Sequence, residues 1–93
     1  MSIFIKSDII KLLKKLTSLY AMETKISYKD KVFIIEWTEK SYKLGAIKFC
    51  NMFVHKFATM YDMKYLKTKL YISNISNKKL FRDQLKDIIS ALH

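Results

Sequence analysis

The sequence predicts an α+β domain in the order αββαβα, with a three-stranded, mainly antiparallel sheet packed on helices that cover one face. Three observations lead there. Apolar residues recur at three- and four-residue steps in three separate segments, the mark of amphipathic helices. Two intervening segments are instead rich in β-branched and aromatic residues. There is no proline and only one glycine, Gly45, so residues 1–93 read as a single compact domain with short connections.

The first helix is expected from about Ser7, a candidate cap followed by Asp8 in the first turn, to about Met22. Ile9, Leu12, Leu13, Leu16, Leu19 and Tyr20 form its apolar stripe, and Lys11, Lys14, Lys15 and Ser18 the opposite one. "SIFI" ahead of it reads as an extended lead-in or an early helical turn. In "TKISYKDKVFIIEWT", Ile26 and Tyr28 alternate with Lys25, Ser27 and Lys29, and Lys-Asp then marks a tight hairpin turn without an Asn-Gly or Asp-Gly signal. Val32 to Trp37 is a nearly continuous apolar run, which places it centrally in the sheet. A strand order of 2-1-3, with the first strand in the middle, would make all neighbours antiparallel.

Residues 38–62, "TEKSYKLGAIKFCNMFVHKFATMYD", read as the longest and most buried helix, capped by Thr38 or Ser41. Gly45 near its start is unfavourable by about 1 kcal/mol relative to alanine, and close packing against another element would explain it. A third strand is expected from Lys64 to about Ile75. The last helix runs from Asn77 or Lys78 to Leu92, with Phe81, Leu85, Ile88, Ile89 and Leu92 inward.

Charge is the strongest global feature: eighteen basic against eight acidic residues, a net +10. Such a balance favours polyanions, meaning DNA, RNA, an anionic membrane or an acidic protein surface. Arg82 is the only arginine. An AT-rich genome, as in many phages, accounts for lysine over arginine but not for the shortage of Asp and Glu. Lysine is a point charge without the guanidinium fork that reads guanine edges, so a lysine surface suits phosphate attraction better than base readout.

Chemistry of other kinds finds little support. Cys50 and His55 lie about 140° apart on a helix and share no face. Cys50 reads as a small packed residue, and no catalytic residues, metal ligands or cofactor motif are expected. A lone cysteine, no apolar stretch of spanning length and no signal peptide make a cytoplasmic, intracellular setting the default.

The stretch "YLKTKLY" carries the main functional expectation. As one strand, it turns Leu66, Thr68 and Leu70 to the helices and Tyr65, Lys67, Lys69 and Tyr71 outward, beside Lys25 and Lys29. Tyrosines could stack on bases while lysines meet phosphates. Lys78, Lys79 and Arg82 crowd the start of the last helix, where they oppose the dipole unless an anion binds. The leading expectation is a small nucleic-acid-associated protein with little sequence specificity. The runner-up is a protein-binding modulator, for example a phage-encoded inhibitor docking on a host nucleic-acid-handling protein. Self-association through the sheet face or an edge strand fits either.

Overall fold

The computed structural model describes residues 3–41 and 45–92. The fold is α+β, with a four-stranded, fully antiparallel sheet in the order β1-β2-β4-β3. Helix α1 (Ile3–Ser18) leads into the hairpin β1 (Thr24–Lys29) and β2 (Val32–Trp37). Helical segment α2 (Glu39–Ser41) precedes α3 (Ile47–Phe57). A second hairpin, β3 (Asp62–Leu66) and β4 (Lys69–Ser73), is followed by α4 (Lys78–Leu92).

The expected third strand is therefore two strands, and the three-stranded sheet is corrected to four. Lys67 and Thr68 form the turn, with Leu66 opposite Lys69. Strand β2 is interior, paired to β1 on one side and β4 on the other. Its continuous apolar run pointed there; the 2-1-3 order, which put the first strand in the middle, is wrong.

Helix α1 starts at Ile3, before Ser7, so residues 3–5 form an early helical turn, and Ser2 lies outside the described residues. The helix ends at Ser18, and the chain reverses through Ala21, whose φ of 59° is left-handed. Within the helix expected over 38–62, Glu39–Ser41 and Ile47–Phe57 are helical, and the chain leaves the helix after Phe57 to enter β3 at Asp62. Thr38 Oγ1 accepts the Ser41 N–H at 3.2 Å and so caps α2, while Ser41 Oγ accepts the Glu23 N–H at 2.8 Å. Residues 42–44 lie outside the described residues. Helix α3 ends at Phe57, short of the expected end at residue 62, where β3 begins. Asn77 Oδ1 accepts the Leu80 N–H at 2.9 Å, a side-chain cap for α4.

One apolar cluster joins the inner face of the sheet to α1, α3 and α4. Ile9, Leu13 and Leu16 enter from α1, Phe49, Phe53 and Phe57 from α3, and Phe81 and Leu85 from α4, all without solvent exposure. Phe81 lies at its centre, its ring 5.1–6.4 Å from those of Tyr61, Phe57, Phe33 and Phe53. From the strands, Phe33, Ile35, Leu70 and Ile72 are fully enclosed. Among the described residues, no side chain on the sheet's other face is buried, which leaves two layers and one open face.

Candidate nucleic-acid interface

Cross-strand partners in an antiparallel sheet point to the same side. Phe33 and Ile72 are partners, as are Ile35 and Leu70, and these four define the helix side. The alternate residues define the open side. Lys25 lies opposite Glu36, which lies opposite Lys69, and Lys69 lies opposite Leu66. Ser27, Ile34, Tyr71 and Lys64 form the next row across the four strands. Lys29 pairs with Val32 at one end, and Asp62 with Ser73.

Lys69, Tyr71, Lys25 and Lys29 thus point outward together. Tyr65 does not join them. It pairs with Leu70 and belongs to the helix side, where its ring stacks on Trp37 with centroids 6.3 Å apart. The physical reason is the turn: two residues inserted between β3 and β4 reverse the parity, so positions of equal parity on either side of it face opposite ways. Lys67 sits in that turn, 3.3 Å from Glu39 in an ion pair. Both partners are well exposed, so the pair contributes at most about 1 kcal/mol. Lys69 approaches Glu36 at 3.9 Å.

The same reversal brings Lys64 onto the open face, a residue that the single-strand reading did not include. Only the turn at Lys67 and Thr68 would have exposed it, and no Gly, Asn or Asp marks that turn in "YLKTKLY". The face carries the ammoniums of Lys25, Lys29, Lys64 and Lys69 against the carboxylates of Glu36 and Asp62, around the half-exposed ring of Tyr71. It offers one aromatic ring for stacking, with Val32, Ile34 and Leu66 as apolar patches between the charges.

The basic group at the start of α4 is divided. Lys78 Nζ lies 5.8 Å from the centre of the Tyr28 ring, and Lys6 Nζ from α1 lies 4.8 Å from the same ring. Lys79 is exposed. Arg82 is engaged within the molecule, 3.8 Å from Asp8 and 3.5 Å from Asp83. Its opposition to the helix dipole is therefore offset by neighbouring carboxylates.

Cys50 is buried, and burial pushes its thiol up to about 12, which keeps it protonated and non-nucleophilic near neutral pH. His55 is exposed. Among the described residues, no group of three His, Cys, Asp or Glu side chains is placed to hold a metal ion, and no helix is long and apolar enough to cross a membrane. Compared with known proteins, the chain matches no family model, and no curated protein or solved structure is significantly similar to it.

Proposed function

We propose that the protein binds DNA or RNA through backbone phosphates, with little sequence specificity, across the uncovered face of the sheet. The observation that carries this reading is the convergence of Lys25, Lys29, Lys64 and Lys69 around Tyr71 on a face that, among the described residues, no helix covers. The lysines come from three strands, so a bound strand would cross the sheet and meet charges from several elements at once. With one tyrosine on the face, stacking contributes at a single base, and phosphate attraction dominates. Lysine ammoniums on flexible stems select phosphate charge and spacing, and leave base edges largely unread.

The test is a titration of labelled single-stranded DNA, RNA and duplex DNA by fluorescence anisotropy across a salt series. Binding is expected at low salt, with log K falling linearly against log salt, by about 0.7 per phosphate neutralised on single strands and about 0.9 on duplex. Lys25→Glu with Lys64→Glu should abolish most of it. Absence of binding at low salt, or binding indifferent to those reversals, would sink the reading. A second reading is favoured by Val32, Ile34 and Leu66, which give the same face apolar contacts that phosphates do not use. On that reading the face docks on an acidic surface of a host nucleic-acid-handling protein. It predicts a stable protein complex in a pull-down and no intrinsic affinity for nucleic acid.

A further inference from the structure

The two sides of strand β1 are used differently. Trp37 donates its backbone N–H to the Thr68 carbonyl at 3.0 Å, so its polar groups point away from β1. In an antiparallel ladder this direction alternates residue by residue. Phe33, Ile35 and Trp37 therefore bond toward β4, and Val32, Ile34 and Glu36 bond toward β1. Their register partners Lys29, Ser27 and Lys25 complete the β1–β2 ladder. Thr24, Ile26 and Tyr28 turn their N–H and C=O groups to the outer edge. An independent contact fixes this direction at one end: the Lys14 ammonium donates to the Thr24 carbonyl. Among the described residues, no hydrogen bond reaches the outward groups of Ile26 or Tyr28.

A groove of about 430 Å3 lies between this edge and α1, lined by Ile10, Lys11, Lys14, Thr24, Lys25 and Ile26. It combines an apolar floor with three lysines, and no carboxylate lines it. Farther along the same edge are Lys6 and Lys78, both against the Tyr28 ring and neither ion-paired among the described residues. Positive charge therefore runs the length of β1.

We infer that the β1 edge takes up an extended acidic segment of a partner protein as a fifth strand. Backbone N–H and C=O groups of the segment pair with Ile26 and Tyr28, which stand two residues apart, the spacing a strand edge presents. An apolar side chain of the segment fills the groove over Ile10 and Ile26, and carboxylates at alternate positions meet Lys11, Lys14 and Lys25. Lysines beside an edge usually guard it against other strands. Here they also define which strand is admitted, because an acidic one gains what a basic one loses. A second copy of this chain, at +10, is disfavoured by charge. A polynucleotide satisfies the lysines but offers no regular run of N–H donors to the Ile26 and Tyr28 carbonyls.

The test is amide NMR of the full chain with an octapeptide alternating glutamate and valine. Three further probes accompany it: the same peptide N-methylated at alternate backbone amides, an oligoglutamate of equal charge, and a single-stranded oligonucleotide. The expected result is shift changes centred on Ile26 and Tyr28, with both amides protected from exchange. The N-methylated peptide and oligoglutamate should bind roughly tenfold more weakly, and Lys11→Glu with Lys25→Glu should weaken the octapeptide to a similar extent. The inference is overturned if the octapeptide leaves the β1 edge unperturbed at about millimolar concentration, or if oligoglutamate or the N-methylated peptide binds equally well. It is also overturned if the oligonucleotide protects the same two amides, since nucleic acid would then be the occupant.

Discussion

A methyl group at position 45 would sit 1.8 Å from the Tyr20 carbonyl oxygen. Helix propensity alone makes Gly45→Ala favourable by about 1 kcal/mol. The collision is with backbone just after α1, which cannot rotate aside, and forced overpacking of this kind costs about 1–3 kcal/mol or more. The steric term wins, and Gly45→Ala should lower the unfolding free energy in urea by a net of about 1 kcal/mol; a stabilised variant would falsify the close approach. Cys50 allows a second prediction. Burial raises its thiol from an ordinary 9.0 to about 12. The folded chain holds the proton up to the higher value, while the unfolded chain releases it near the lower one. The stabilising contribution is therefore complete below pH 9 and lost as pH rises toward 12. Cys50→Val should flatten the decline of stability across that window, as read from urea melts at stepped pH. A slope unchanged by the substitution would assign the alkaline loss to the lysines and tyrosines instead.

At the scale of elements, turn geometry separates what the sequence disclosed from what it did not. The β1–β2 connection places both Asp30 (φ 52°) and Lys31 (φ 64°) in the left-handed region, the geometry of a two-residue hairpin turn. Asp tolerates that region; lysine pays about 1–2 kcal/mol for it, and glycine does not. Lys31→Gly should accordingly raise stability by about 1 kcal/mol, measured by denaturant titration, with no change at the β2 register; a loss of stability would contradict the assigned turn. The hairpin was legible, one residue out of place, because strands of clear composition flank it. The β3–β4 turn was not, because neither Lys67 nor Thr68 has a positive φ and the turn therefore needs no signature residue. Alternation of apolar and polar residues runs straight through "YLKTKLY", and one long strand and a tight hairpin give the same string. The error mattered beyond strand count, since it misplaced Tyr65 and hid Lys64. Helices α1 and α4 were legible from their stripes. The anchoring of Ser41 was not, since its Oγ has a tertiary partner, the Glu23 N–H, that no local pattern encodes.

Across the whole molecule, the question is whether binding follows net charge or the place where charge is gathered. A protein at +10 attracts any polyanion at low salt, and such attraction alone assigns no surface. Screening offers a way to separate the two. At about 0.15 M salt the Debye length is about 8 Å, so a lysine on the far side of the domain contributes little to a phosphate held on the sheet. Lysines in contact with phosphates keep their effect, because each releases a condensed counterion. Two variants of equal charge then discriminate. Lys25→Glu, Lys29→Glu and Lys64→Glu together reverse the open face, whereas Lys15→Glu, Lys56→Glu and Lys86→Glu together reverse exposed helix positions. Each set lowers the formal charge from +10 to +4, since every exchange removes two units. If the sheet face binds, the first set loses affinity at every salt concentration and its salt slope falls by about two to three units. The second set weakens binding at low salt and converges on the parent near physiological salt as screening removes the long-range loss, so its slope falls only slightly. Equal losses with equal slopes would mean that the whole charged body attracts the polyanion, and the arrangement around Tyr71 would then have no special part in it.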